Sequence, residues 1–225
     1  MDIYILHLET ATKICSVALS LNGKIKQLRE IQEDGFSHGE NLTLLIEDAL
    51  KSEGISANQL SAVSIASGPG SYTGLRIGVS TAKGFCFALS IPLIAVDALI
   101  SIQQIAIAKY PNQNIIPMID ARRMEVFASV FNQKSEIIKP ISADVLDENN
   151  YAEFEPFVAC GDGAEKLKDL WKGREIIFAT EILSSAKGQV NLAYQKYEQK
   201  AFEDVAYFEP FYLKDFVMNV KSQAQ

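Results

Sequence analysis

The sequence has few residues of the kinds that form covalent cross-links and zinc sites. Among its 225 residues are three cysteines, Cys15, Cys86 and Cys160, and no two of them form a Cys-x-x-Cys pair. This number and spacing argue against a disulfide framework and against a cysteine zinc site. The cysteines fit reduced thiols in or near a core, so we expect a cytoplasmic location.

Histidine is scarcer still, since the chain contains only His7 and His38. A helical metal site of the two-histidine kind needs its ligands at positions i and i+4. The residue four positions after His38 is Leu42, so the sequence lacks that site. We therefore expect no resident metal and no catalytic residues of this type, and His7 is expected to pack against a sheet.

Basic runs and long apolar runs are also missing. The chain has 21 lysines and arginines against 28 acidic residues, which gives a formal net charge of −7. Nucleic-acid binding needs clustered cations that neutralise phosphates, so contact with RNA is expected to depend on partners. No apolar run has the length of a bilayer span. Asp2 and Glu9 interrupt the segment where a signal peptide would have its apolar core, so no membrane association is expected.

The most informative segment is a glycine-rich turn, SGPGSYTGLRIG at residues 67–78. The apolar run at 62–66 predicts a strand before it, and residues 75–89 predict a helix after it. A helix start offers free N–H groups at positive potential, which suits a phosphate. Glycine equally allows another backbone to approach, with Ser71 or Thr73 as helix N-cap. Both uses remain open, and the candidates for anion or cofactor binding are Gly68, Gly70, Ser71, Thr73 and Arg76.

Two helices predicted in the first half have patterns that indicate packing surfaces. Ser37 and Glu40 form a capping box ahead of an apolar stripe, which Gly54 ends. In the helix after the glycine turn, small residues recur at intervals of four on two faces. One face is expected to meet the chain's own core, and the other leaves room for a partner helix. The two ladders are Gly74, Gly78 and Ala82, and Ser80, Gly84 and Ala88.

The second half begins with the same order of elements as the first. In each half a strand ends in an acid, Glu9 or Asp120, and a hairpin follows. This weak internal repeat predicts two lobes, residues 1–110 and 111–225. The two acids, and Asp162 between two glycines, are either carboxylates for a metal or water, or acids that stabilise a turn.

Other local signals place a turn and three helices. Asn22-Gly23 predicts a tight hairpin turn between two strands. Asp97 is predicted to cap a helix that runs to Lys109. Helices are also predicted at 164–170 and at 181–199.

Four segments along the chain carry a family resemblance: ILHLETAT at 5–12, GPGSYTGLRIG at 68–78, IDARRMEVF at 119–127 and PFYLK at 210–214. In these segments the chain resembles the TsaB (YeaZ) family of tRNA threonylcarbamoyladenosine biosynthesis proteins. The four segments span almost the whole chain, and the glycine-rich block is the most specific. The resemblance implies an α/β, actin-like ATPase-type fold, in which two lobes each contain a ribonuclease-H-like mixed sheet and helices.

The resemblance also implies a non-catalytic subunit that activates a TsaD-like catalytic subunit by dimerising with it. A TsaE-like ATPase joins the two, and the complex transfers threonylcarbamoyl to the adenosine next to the tRNA anticodon. Alone, the chain would form a homodimer; tRNA would be reached only through the complex, and ATP or ADP could lie at a subunit interface. The pairing helices map to 38–52 and 74–89, with partner-contacting candidates His38, Leu42, Leu45, Ile46, Ala49, Gly74, Leu75, Gly78, Val79 and Ala82.

The alternative from a different class is an actin-like nucleotide-binding phosphotransferase or ATPase. It draws on residues 68–74 and 161–163 and on the acids Glu9 and Asp120. Glu9 stands where the family usually has aspartate, and His7 where it usually has a small or apolar residue. The longer Glu9 side chain would reposition a metal-bound water, which argues against ATP hydrolysis by this chain.

Overall fold

The computed structural model describes residues 2–32 and 38–214, and the first five strands form one mixed sheet. These strands are β1 (Tyr4–Glu9), β2 (Ile14–Leu21), β3 (Lys24–Gln32), β4 (Leu60–Ala66) and β5 (Leu93–Val96). Their order across the sheet is β3-β2-β1-β4-β5, with β1, β4 and β5 parallel. The β2–β3 hairpin turns at Asn22 and Gly23, whose φ angles are 50° and 74°, as the sequence predicts.

Two helices cover one face of this first sheet. They are α1 (His38–Glu53) and α2 (Tyr72–Leu89). Gly54 follows α1 with a φ of 70°, which confirms it as the predicted stop. The predicted cap Ser37 lies outside the described residues. The opposite face of the sheet is covered by α4 (Val190–Glu198) near the end of the chain.

The other five strands form a second sheet. They are β6 (Asn114–Asp120), β7 (Glu125–Phe131), β8 (Ile137–Val145), β9 (Phe157–Cys160) and β10 (Ile176–Ala179). Their order, β10-β9-β6-β7-β8, repeats the strand order of the first sheet. One face of this sheet packs against α3 (Ala98–Lys109). As predicted, Asp97 is the N-cap of α3, and its Oδ1 accepts hydrogen bonds from Leu99 N at 2.7 Å and Ile100 N at 3.1 Å.

Two of the predicted helices are wrong in extent. The segment 164–170 contains only a 3₁₀ turn, Glu165–Leu167. Within 181–199 the helix is confined to a 3₁₀ turn, Ala186–Gln189, and to α4. Strands β8 and β10 had no sequence prediction, because β8 has a half-exposed pattern without clear alternation and β10 has only four residues.

Each predicted lobe contains one sheet, but the packing crosses the predicted division at residue 110. Helix α3 precedes that point and packs on the second sheet. Helix α4 follows it and returns to the first sheet, where Ala193 packs with Ile5 and Ile94. The two lobes therefore share their cores, and the boundary at 110 stays a prediction. None of the described helices combines the length and the apolar character that a membrane span requires.

Candidate functional site

The glycine turn after β4 packs closely against the chain itself. A Cβ atom at Gly70 would lie 2.2 Å from the carbonyl oxygen of Ala11, directly after β1. That same oxygen accepts a hydrogen bond from Ser71 N at 2.7 Å. On the other side, Ser67 O accepts a bond from Phe211 N at 2.7 Å. Of the two predicted uses of this turn, close packing against another backbone is therefore the one seen in the structure. The Ser71 N–H group, which a phosphate would need, is already hydrogen-bonded to Ala11 O.

The first turn of α2 follows the glycine turn directly and uses Ser71 as its cap. Ser71 is the N-cap, and its Oγ accepts a hydrogen bond from Gly74 N at 3.3 Å. Thr73 is exposed. The phosphate-binding role of Gly68, Gly70, Ser71 and Thr73 stays a prediction, and the capping role of Ser71 is confirmed.

Arg76 lies against aromatic rings. Its guanidinium stands 4.4 Å from the centre of the Tyr72 ring, which stacks on Tyr212 at 4.7 Å. A hydrogen bond with Tyr212 raises the pKa of Arg76. This cation–π contact ties the first turn of α2 to the C-terminal segment.

The two acids that end equivalent strands lie in very different surroundings. Glu9 is fully buried, and its Oε1 accepts a bond from Ala11 N at 2.8 Å. Burial raises the pKa of Glu9 to about 7. Asp120 is exposed at the corresponding end of β6, and its Oδ1 accepts from Lys166 Nζ at 2.5 Å and from Arg122 N at 3.0 Å. The two carboxylates therefore differ in burial and in their hydrogen-bond partners, although they end equivalent strands.

His7 is enclosed in the first sheet, as the sequence predicts. Its side chain is fully buried and its Nε2 lies 2.7 Å from Ser20 Oγ. Burial disfavours the charged ring and lowers the pKa of His7 to about 3.

A cavity of about 560 Å³ lies between the two lobes, and we call it the interlobe cleft. From the first lobe it is lined by the turn after β1 and by the start of α2. From the second it is lined by the turn between β6 and β7, with Tyr212, Leu213 and Lys214 of the C-terminal segment across the opening. Its charged lining residues are Lys13, Asp120, Arg122, Asp162 and Lys214.

The residues predicted to contact a partner on α1 and α2 face inwards. Their apolar stripe packs on the first sheet, where burial of each large side chain contributes about 1.5–3 kcal/mol. Position 78 has no room for a side chain, because a Cβ atom on Gly78 would lie 2.2 Å from Thr10 Oγ1. The side chain of His38 is not described. The residues buried within this chain are Leu42, Leu45, Ile46, Ala49, Gly74, Leu75, Gly78, Val79 and Ala82, and their assignment to a partner interface stays a prediction.

The outward surface of these helices has a different set of residues, which we call the outer face. Leu44 on α1 is 62% exposed and Phe87 on α2 is 83% exposed. The second small-residue ladder, Ser80, Gly84 and Ala88, is exposed beside Phe87. Leu44 and Phe87 were missed from the sequence, although each is a large apolar residue outside the inward stripe of its own helix.

Comparison with known proteins agrees with this architecture. A family model described as TsaD, tRNA N6-adenosine threonylcarbamoyltransferase, matches residues 35–219. The chain belongs to this family.

Within the TsaD family, the chain is similar to proteins named TsaB. It is 27% identical to the tRNA threonylcarbamoyladenosine biosynthesis protein TsaB of Haemophilus influenzae, over 96% of this chain and 95% of that protein. Identity to TsaB of Escherichia coli is also 27%, over 95% of each chain. These matches confirm the TsaB resemblance.

A solved structure extends the TsaB match to the fold. YeaZ from Pseudomonas aeruginosa superposes with a TM-score of 0.77 at 26% identity, covering 94% of this chain and all of that one. Two mixed five-stranded sheets with helices match that structure and confirm the actin-like, ribonuclease-H-like ATPase-type fold.

Proposed function

We propose that this chain is a non-catalytic subunit in tRNA threonylcarbamoyladenosine biosynthesis. It pairs with a TsaD-like catalytic subunit through the outer face of α1 and α2 and thereby activates that subunit. The relatives named TsaB support the pathway. The observation that carries the pairing is the exposed apolar and small-residue surface of the outer face.

Gly84 gives this surface its strongest argument. A glycine inside a helix costs about 1 kcal/mol relative to alanine, so a functional glycine needs a compensating contact. For Gly78 that contact is Thr10 within the chain, whereas a Cβ at Gly84 would meet no described atom within 4 Å. Close approach of a second backbone at Gly84 would supply the missing compensation.

The exposed apolar side chains of the outer face suit the same use. Phe87 and Leu44 are among the most exposed large apolar side chains of the described residues. Aromatic residues at the centre of an interface contribute strongly to binding once they are desolvated. The outer face therefore offers an aromatic anchor, an aliphatic side chain and a close-approach position on neighbouring helices.

The groups that would serve catalysis in this chain are engaged in its own structure. Ser71 N bonds to Ala11 O, and Glu9 is enclosed with Ala11 N as its partner. This supports an accessory role over the phosphotransferase alternative.

We extend the proposal to a TsaE-like ATPase as third component of the complex and to a homodimer when the chain is alone. We also propose that the chain reaches tRNA only through the complex, and that ATP or ADP can lie between subunits.

The decisive experiment is tRNA threonylcarbamoylation in vitro with TsaD-like and TsaE-like proteins of the same organism, with and without this chain. We expect modification only when the chain is added, and no ATP turnover by the chain alone. Equal modification without the chain would contradict the activator role.

Variants at Gly84 test the pairing surface. Gly84→Arg adds a long side chain where the monomer has open space, so the monomer should stay folded while pairing and activation are lost. Gln195→Arg makes the same kind of change at an exposed position of α4, on the opposite face of the sheet, and should leave both intact. Size-exclusion chromatography with light scattering measures pairing, and circular dichroism checks the fold. Undiminished pairing by Gly84→Arg would place the interface elsewhere.

A further inference from the structure

A second cavity, of about 230 Å³, shares no lining residue with the interlobe cleft, and we call it the small cavity. One side is formed by the start of β2 and the end of β3. The other side is the segment 181–187, which follows β10 and runs into the 3₁₀ turn Ala186–Gln189. The proposed pairing has no use for this cavity, because none of its lining residues lies on α1 or α2.

Ser184 places a buried hydroxyl in the wall of the small cavity. The residue is 2% exposed, and its Oγ has no hydrogen-bond partner among the residues that the structure describes. The Glu9 carboxyl lies beside Ser184, and within the same residues Glu9 Oε2 is likewise buried without a partner. Buried polar atoms are nearly always hydrogen-bonded. An unpartnered hydroxyl in a cavity wall therefore points to a partner that enters the cavity from outside the chain.

Two opposite charges that line the small cavity are left without an ion pair. The Glu30 carboxylate accepts a hydrogen bond from Ser16 Oγ at 2.9 Å. Neither Glu30 nor Lys187 forms an ion pair with any residue in 2–32 or 38–214. The remaining charged lining residue, Glu181, is already paired with Lys109 at 2.5 Å. The cavity thus combines one free carboxylate, one free ammonium and one unpartnered hydroxyl.

We propose that the small cavity binds a small zwitterion of the α-amino acid class, held by Glu30, Ser184 and Lys187. An ammonium group has three hydrogens to donate, so the ligand's ammonium bonds to the Glu30 carboxylate and to Ser184 Oγ together. Ser184 then turns its own hydrogen towards Glu9 Oε2, which satisfies both unpartnered atoms. The carboxylate of the ligand meets the Lys187 ammonium. The contacts with Glu30 and Lys187 are charge-assisted hydrogen bonds, which are the strong ones.

The lining selects a ligand with two charges and a short side chain. A simple amine would leave Lys187 without a partner, and a simple carboxylate would leave Glu30 without one. Pockets for drug-sized ligands begin at about 300 Å³, so a cavity of about 230 Å³ admits only a smaller molecule. The site is separate from the outer face of α1 and α2, so binding to the chain alone tests it independently of the proposed pairing.

The test is an NMR titration of the full isotope-labelled chain at neutral pH with L-alanine, ethylamine and propionate. Ethylamine lacks the carboxylate of alanine, and propionate lacks its ammonium. We expect saturable amide shifts with alanine, confined to residues around 30–32 and 183–187, and binding of the other two weaker by about tenfold or more. Absence of saturable shifts with alanine at tens of millimolar would mean that the cavity takes water only, and would overturn the proposal. Ethylamine binding as tightly as alanine would contradict the zwitterion.

The second glutamate of the small cavity provides a matched control. Glu30→Gln removes the free charge and keeps an oxygen that can accept from Ser16, so alanine binding should weaken by about tenfold. Glu181→Gln makes the identical change in the same cavity, but its carboxylate is engaged by Lys109, so binding should change by less than about twofold. Equal effects of the two variants would refute the assignment of Glu30.

Two further variants separate ligand binding from a purely structural role. Ser184→Ala removes a buried hydroxyl without a partner, so the unfolding midpoint in urea should not fall while alanine binding weakens severalfold. Lys187→Gln changes an exposed side chain and keeps the test decisive if Ser184→Ala folds poorly. It should lower the affinity for alanine to that for ethylamine and leave ethylamine unaffected. Undiminished alanine binding in either variant, or an equal loss for ethylamine in Lys187→Gln, would contradict the proposed contacts.

Discussion

The two lobes have the same strand order but cover their sheets by different means. In the first lobe, α1 and α2 lie on the outer side of the sheet. At the corresponding places in the second lobe, the connections contain only the 3₁₀ turns Ala152–Phe154 and Glu165–Leu167. The two lobes therefore share the order of their strands but not the helices that pack on the sheet. Among the described residues, only the first lobe has two long helices side by side on one face of its sheet.

An aromatic cluster covers the second sheet where the first has helices. Trp171 is almost completely buried, and its ring lies edge-on to Tyr151 at 5.9 Å and to Phe157 at 6.2 Å. Its Nε1 donates to Asp147 O at 2.8 Å, which satisfies the buried indole N–H. One large side chain thus closes a core that two amphipathic helices close in the other lobe.

Truncation of that tryptophan should have the largest effect. Trp171→Ala is expected to lower the free energy of unfolding by about 3–5 kcal/mol, because it removes a buried aromatic side chain and leaves a cavity. Urea unfolding followed by circular dichroism measures this. Trp171→Phe, which keeps much of the ring volume, should cost clearly less. A loss below about 1 kcal/mol for Trp171→Ala would mean that the second lobe does not depend on this cluster.

The acids at equivalent strand ends should differ in their dependence on pH. The pKa of Glu9 is about 7 in the folded chain, against 4.5 for the ordinary group, because the carboxylate is buried. Between these values the unfolded chain loses the proton and the folded chain keeps it. The contribution of Glu9 to the free energy of unfolding is therefore fully present below pH 4.5 and is lost as pH rises through 7. The loss over this whole range is about 3 kcal/mol.

Replacing Glu9 by its neutral isostere isolates this effect. The stability of Glu9→Gln relative to the natural chain should increase by about 3 kcal/mol between pH 4.5 and pH 8. Using the difference between the two proteins matters, because buried His7, with a pKa of about 3, makes the stability of both rise with pH up to 6.5. Urea unfolding at both pH values gives the difference. A constant difference across that range would show that Glu9 is ionised in the folded chain at pH 5.

The glycine turn of the first lobe should tolerate no side chain. Gly70→Ala places a Cβ 2.2 Å from Ala11 O and 2.7 Å from Ala11 Cβ, so β1 and the turn must move apart. We expect a loss of about 1–3 kcal/mol in the free energy of unfolding. Gly84→Ala is the matched control, since it meets open space in a helix and should gain up to about 1 kcal/mol. Destabilisation by both changes to the same extent would remove the distinction between the inner and outer faces of α2.

The smallest effect is expected at the exposed acid of the second lobe. Asp120→Asn removes an ion pair with Lys166 in which the Asp120 side chain is 43% exposed. Pairs of this kind contribute about 0–1 kcal/mol, so the unfolding midpoint in urea should hardly change. A loss as large as that of Gly70→Ala would indicate that Asp120 organises the β6–β7 turn and is not merely a solvated partner of Lys166.

Much of the local structure could be predicted from sequence signals that act over a few residues. The turn at Asn22-Gly23, the stop at Gly54, the N-caps Ser71 and Asp97 and the repeated strand framework are all found in the structure. Each depends on a backbone conformation or a hydrogen bond that the named residue itself supplies.

The sequence-based predictions of secondary structure are wrong where contacts between residues far apart in the chain determine the conformation. The apolar spacing of 164–170 resembles a helix, yet Trp171 and its aromatic neighbours cover the sheet there and the chain forms only a 3₁₀ turn. The short strand β10 exists because β9 pairs with it. Local propensity is a weak influence when tertiary packing satisfies the chain in another way.

The candidate sites divide in the same manner. The sequence by itself determined that α2 has two small-residue ladders and that acids end two equivalent strands. Only the tertiary structure decided that Gly78 faces Thr10 and Gly84 faces open space, that Glu9 is enclosed while Asp120 is exposed, and that Lys13 and Arg122 share one cleft. The physical reason is that periodicity groups residues on a helix face or a strand end. Which face is buried, and which charges meet, depends on elements that are far away in the chain.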